Sequence, residues 1–343
     1  LTAPSFGPVH RGPDKTGRLQ LCHPRRTGPA CFERHAADDP RIGQPIDPDT
    51  YDYIGHVLWT AHAPDLWRRF TIYLRRHLAA SAGLTCKDFD RSVRVSFAKV
   101  AEYQRRGVVH FHAVIRLDGP DGPGSSPPAW ATVHLLEAAI RSAAKAARLP
   151  APDLGQPTRN LTWGEQLDVR PIASGELGDG EVTEQAVAGY IAKYATKAAA
   201  ESVGTLDRRI RSYDLARLAE QGVTEHAARL IRTCWDLGDP ASHPELVPLR
   251  LRQWAHMLGF RGHFSTRSRA YSTTLTALRQ ARADYRHAQL CEAGAFDPDT
   301  TLVLAHWHFA GQGFTPGESI LAASLGGRPD SVSFAKEGNH VYT

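Results

Sequence analysis

Apolar residues recur at helical spacing from Pro64 onward: Leu66, Trp67, Phe70, Tyr73, Leu74 and Leu78 share one face of a helix. Arg68, Arg69, Arg75 and Arg76 fall on or near the other face, either as a solvated surface or as a contact to a DNA backbone. Upstream, residues 1–52 are rich in Pro, Arg and Gly, lack periodicity and read mostly as loop. Two strand-like runs follow, 92–104 and 108–117, separated by Arg105-Arg106-Gly107. A three-residue loop ending in Gly is a hairpin form, because its last residue must adopt positive φ. The Gly- and Pro-rich stretch 118–128 predicts a loop, and 133–149 an Ala-rich helix. Residues 166–170 alternate like a strand, and a helix is expected from Thr183, a good N-cap, towards Ala200. Beyond Gly204 the pattern is mainly helical to about Cys291, with a further strand at 301–309 and a short helix after Pro316.

Composition narrows the setting. The chain has 343 residues, enough for one large domain or two ordinary ones, and no apolar run long enough for a membrane-spanning helix. Five widely scattered cysteines without a C-x-x-C pair argue against a disulfide scaffold and for a cytoplasmic setting. Only seven of the 41 basic residues are lysine, and the formal net charge is +5. An arginine-dominated basic surface suits bidentate contacts to phosphate, although a GC-rich genome gives the same bias. No G-x-x-x-x-G-K-[ST] is present, so neither a P-loop nor a nucleotide cofactor is expected.

The sharpest chemical signal is His110-Phe111-His112. Residues two apart on a strand point to the same face, so both imidazoles project together. If Gln104 pairs with Val108 across the loop, Glu102 sits opposite His110, with Cβ atoms about 5 Å apart, and His112 lies on the diagonal. Two imidazoles and a carboxylate then share one patch. Oxygen and imidazole ligation without thiolate favours Mg²⁺ or Mn²⁺ over a structural zinc.

A second signal lies in Gly189-Tyr-Ile-Ala-Lys-Tyr-Ala-Thr-Lys197. Tyr190 and Tyr194, four apart, lie on the same side of the expected helix, and each is followed three residues later by a lysine, Lys193 and Lys197. Two tyrosines on an apolar stripe are usually core. Beside a metal-binding hairpin they acquire a chemistry, because a phenol near pKa 10 becomes a nucleophile once a cation lowers its pKa or a base takes its proton.

Together these residues resemble the HUH nucleases and, more closely, the rolling-circle replication initiators of actinobacterial plasmids and integrative elements. The resemblance is carried by 55–64, 97–117 and 187–197, and continues through 262–271. Leu1-Thr-Ala-Pro4 looks like the tail of the family's first motif, a buried strand, and with no initiator Met a longer N-terminus is expected. Relatives carry Cys-Pro-Asp-Cys before the Tyr-Asp-Tyr that is Tyr51–Tyr53 here; this chain has Asp47-Pro-Asp-Thr50 instead. A full zinc ribbon is therefore not expected, and Cys22 and Cys31 read as free buried cysteines rather than a remnant site with His35.

The resemblance implies an α+β fold: an HUH endonuclease core over residues 1–205, a central antiparallel sheet with packed helices, and a mainly helical region over 206–343 for DNA recognition or completion of the fold. It implies Mg²⁺ or Mn²⁺ held by Glu102, His110 and His112, with Tyr194 making the first cut and Tyr190 the second transfer. Lys193 and Lys197 would favour the phenolate and the phosphotyrosine. Single-stranded or hairpin origin DNA is the expected substrate, bound with steep salt dependence, and Arg75, Arg76, Arg105, Arg106, Arg267 and Arg269 are the expected contacts. A host helicase and polymerase are implied. The rival readings are an HUH relaxase or transposase, in which a third His commonly completes the ligand set, and a non-catalytic DNA-binding regulator.

Overall fold

A computed structural model describes residues 1–122, 125–154, 160–172, 206–268 and 275–292. The chain divides into two compact units, Leu1–Ser272 and Thr273–Thr343. In the first unit a long helix, α1 (Tyr53–Ser81), is capped by Asp52, whose carboxylate accepts from the Gly55 N–H at 2.7 Å. It starts well before the expected Pro64. Residues His56 to Ala61 are all buried, so this half of the helix has no polar face and no one-sided period to read. Pro64 sits inside the helix. Proline lacks the N–H for the carbonyl one turn back, and beside the break Arg261 donates to the Ala61 carbonyl at 3.0 Å and pairs with Asp65 at 2.7 Å.

After a short helix, α2 (Cys86–Ser92), come the hairpin strands β1 (Arg94–Tyr103) and β2 (Val109–Asp118). They pair antiparallel with Glu102 opposite His110, and Gly107 closes the turn at φ +80°. The helix α3 (Val133–Ala146) ends earlier than expected, giving way to β3 (Arg148–Pro150), which pairs with β4 (Asn160–Thr162). Residues 166–170, expected as a strand, are irregular; alternation over five residues carries no commitment unless a neighbour supplies a ladder.

Residues 206–268 are built from 3₁₀ turns and one helix, α4 (Glu225–Leu237). A three-residue strand, β5 (Ser265–Arg267), then pairs with β1, giving the sheet order β2-β1-β5. This part of the chain thus belongs to the same unit as the hairpin. On the free edge of β2, Leu1 exchanges two backbone hydrogen bonds with Phe111, at 2.9 and 2.8 Å, and Thr2 and Ala3 are buried. In the second unit α5 (Leu275–Glu292) is the described element. The expected helix at 183–200 and the elements beyond 300 lie outside the described residues.

The alternation of β1 and β2 sorts their faces. Phe97, Lys99, Ala101, Tyr103 and Phe111 share one face, which meets α1: the Trp67 ring stands edge-on to Phe97 at 5.3 Å and to Phe111 at 6.0 Å. Glu102, His110 and His112 consequently project from the opposite face, away from this aromatic core.

Candidate metal centre

The hairpin places its three candidate ligands by backbone register alone. Glu102 lies opposite His110, and His112 lies opposite Val100, two pairs further along the ladder. The His112 Nε2 approaches Glu102 Oε2 at 2.9 Å, and the rings of His110 and His112 meet edge-on with centroids 4.6 Å apart. All three side chains are partly buried.

His110 is the informative member. Its Nδ1 is buried with no hydrogen-bond partner among the described residues. Burial lowers its pKa to about 3. The imidazole is therefore neutral at pH 7, the form that offers a lone pair to a cation. Two imidazoles and one carboxylate on one face can hold a divalent cation.

The hairpin turn that holds this register rests on two buried histidines that pattern reading did not single out. His56 Nε2–H donates to the Gly107 carbonyl at 3.1 Å, leaving Nδ1 to accept the Tyr51 hydroxyl at 3.0 Å. His226 Nε2–H donates to the Arg106 carbonyl at 3.0 Å, and its Nδ1 accepts the Tyr53 hydroxyl at 3.2 Å. The Tyr51-Asp-Tyr53 triplet thus has a structural role: its two phenols fix the tautomers of the histidines under the turn.

Burial depresses both histidines, His226 to about 4 and His56 well below its usual value. An unfolded histidine titrates near 6.5, so between that pH and 4 the unfolded chain binds protons that the folded chain refuses. Their contribution is complete above pH 6.5 and is lost as the pH falls. Lowering the pH from 7 to 5 should cost roughly 2 kcal/mol through His226 alone. Urea midpoints at the two pH values measure this, and His226→Gln should flatten the difference. Equal midpoints for the unaltered chain would mean that these imidazoles are not held neutral.

The arginines expected on DNA divide into different settings. Arg75 is bound through Nε and Nη2 to Asp90 and also reaches the Cys86 carbonyl at 3.3 Å, so it ties α1 to α2. Arg106 donates to Gln104 Oε1 at 2.9 Å, the Pro4 carbonyl at 3.0 Å and the Ala3 carbonyl at 3.2 Å. Its guanidinium is spent on anchoring residues 2–4 to the turn. Arg105 is exposed, with one bond to the Ala37 carbonyl at 2.9 Å; Arg76 and Arg267 are also exposed. Tyr190, Lys193, Tyr194, Lys197 and Arg269 lie outside the described residues, so the hairpin is the part of the expected site described in space. No helix among the described residues is long and apolar enough to cross a membrane.

Comparison with known proteins supplies the family. A protein from Streptomyces ambofaciens described as a replication initiator protein is 56% identical over 333 residues, covering 95% of this chain and 68% of that protein. No solved structure matches. The family model RepSA, described as the replication initiator protein of pSAM2, matches residues 1–326. With the hairpin register in place and the match running over nearly all of the sequence, the chain belongs to the pSAM2 replication initiator family.

Proposed function

We propose that this chain is a metal-dependent, site-specific single-strand DNA endonuclease and strand transferase of the HUH type, which starts rolling-circle replication by nicking an origin. The observation that carries the reading is the convergence of Glu102, His110 and His112 on one face, with a neutral, partly buried His110. These three residues would hold the Mg²⁺ or Mn²⁺, which when bound polarises the scissile phosphodiester.

The chain's own residues perform the transfer. The phenolate oxygen of Tyr194 forms a bond to phosphorus while the bond from phosphorus to the 3′ oxygen breaks. The leaving oxygen takes a proton to become the 3′-OH that primes synthesis, and the 5′ end stays on the protein as a phosphotyrosine. Lys193 and Lys197 favour the phenolate and offset the phosphate charge. Tyr190 serves the second transfer, which closes the circle. Arg76, Arg105, Arg267 and Arg269 are the DNA contacts in this reading; Arg75 and Arg106 have internal partners. Origin DNA, a host helicase and polymerase, and a cytoplasmic setting complete the account.

The test is incubation of a single-stranded oligonucleotide carrying the element's own origin with the purified chain. One 3′-OH fragment and one protein-linked 5′ fragment are expected, lost in EDTA and restored by Mn²⁺. Binding without cleavage in any divalent metal would leave a DNA-binding regulator as the function.

A further inference from the structure

The region before α1 holds a second cluster of metal-ligand atoms, unrelated to the hairpin site. His10, Cys22, Cys31 and His35 come from four separate points of a segment with no helix and only isolated bridges, Val9 to Pro45 and His23 to Cys31. One donor atom from each lies within 4.8 Å of all the others. His10 Nδ1 is 3.1 Å from His35 Nε2, Cys31 Sγ is 3.4 Å from His35 Nε2, and Cys22 Sγ is 3.7 Å from His10 Nδ1. A tetrahedral zinc with arms of 2.0–2.3 Å sets its donors about 3.3–3.8 Å apart, and these three separations lie in or near that range, with every other donor pair within 4.8 Å.

Three further features favour a cation here. His35 is 1% exposed, and its Nδ1–H donates to Asp39 Oδ2 at 2.8 Å, which turns the Nε2 lone pair into the cluster. Asp39 is in turn fixed by Arg41, with Nη2 at 2.9 Å. This is the carboxylate–histidine support that orients a metal-ligating imidazole. On the sulfur side, the Arg11 N–H donates to Cys22 Sγ at 3.2 Å, as suits a thiolate. Cys22 and Cys31 are buried and free, and their backbones are pinned by the bonds of Cys22 N–H to the Glu33 carbonyl and of Cys31 N–H to the His23 carbonyl.

We propose that His10, Cys22, Cys31 and His35 form a structural Cys₂His₂ zinc site. The sequence alone reads Cys22 and Cys31 as free buried cysteines, because Asp47-Pro-Asp-Thr50 stands where relatives carry Cys-Pro-Asp-Cys; the loop folding that brings His10 to the other three is invisible to spacing. Binding displaces the two thiol protons, and the four first-coordination positions are all filled by protein, so the site is closed to substrate. Its effect is mechanical. The stapled segment rests on the hairpin turn, where the Arg105 guanidinium donates to the Ala37 carbonyl at 2.9 Å. Gly43, at φ +90°, packs there against the Arg105 backbone so closely that a Cβ would stand 2.6 Å from the Arg105 carbonyl carbon.

The experiment is metal analysis of the full chain purified without chelator, together with replacement of the bound metal by Co²⁺. About one zinc per chain is expected, with Co²⁺ giving the intense visible bands of a tetrahedral thiolate–imidazole site. The Cys22→Ser/Cys31→Ser variant should lose both signals, while His112→Ala keeps them, which separates this site from the hairpin. Should the double variant fail to fold, the zinc content and cobalt spectrum of the unaltered chain still decide. Zinc well below one per chain, with no tetrahedral spectrum after Co²⁺ addition to the reduced protein, overturns the proposal. So does a Cys22–Cys31 disulfide in protein purified under reducing conditions.

Discussion

Replacing either His110 or His112 with Ala should abolish Mn²⁺-dependent nicking while leaving cooperative unfolding intact. The loss should be large because a catalytic divalent cation contributes several kcal/mol to the transition state, roughly a thousandfold or more in rate. The fold should survive because both side chains project from the face of the hairpin opposite the one that meets Trp67 and α1, and neither belongs to the aromatic core. Glu102→Gln keeps the shape and the hydrogen-bonding reach of the carboxylate but removes its charge, so it should weaken metal dependence more than it disturbs the hairpin. The comparison is nicking rate against thermal midpoint for the three variants. Joint loss of activity and of cooperative unfolding would make the histidines structural.

The second large effect separates the two tyrosines. On the helix the sequence predicts, Tyr190 and Tyr194 stand about one turn apart, and a single scissile phosphate cannot be equally near both, so the two should serve successive transfers. Relatives with one tyrosine often place a carboxylate at the position that matches Tyr190, which leaves the nucleophile at the position of Tyr194. Tyr194→Phe should therefore eliminate the first covalent adduct. Tyr190→Phe should still nick but release closed circles poorly. Adduct yield on an origin oligonucleotide and circle yield on a plasmid substrate read the two steps separately. A normal adduct yield from Tyr194→Phe would mean that the tyrosines are interchangeable.

The shared face of Glu102, His110 and His112 was legible because a short hairpin turn makes register a matter of counting. Gln104 does bond to the Val108 carbonyl, at 2.9 Å, and Glu102 falls opposite His110 as a result. What stayed hidden has identifiable causes. The first half of α1 is buried around most of its circumference, so Val57, Trp59 and Ala61 give no amphipathic signal. The strand β5 spans only Ser265–Arg267 and exists because β1 offers it an edge. His56 and His226 lie far apart in sequence and share only the carbonyls of the turn they support, which no local spacing records. Arg106 looks like a surface cation in the sequence, yet residues 2–4, about a hundred positions away, take up its donors.

The central claim is that this hairpin directs tyrosine attack on origin DNA, and its most direct test is mass-spectrometric mapping of the protein–DNA adduct. Trapped with the origin oligonucleotide in Mn²⁺ and digested, the chain should yield a nucleotide-linked peptide from residues 187–197, with the phosphate on Tyr194, and no such peptide in EDTA. An adduct on a residue outside that segment, or one formed equally well without divalent metal, would contradict it.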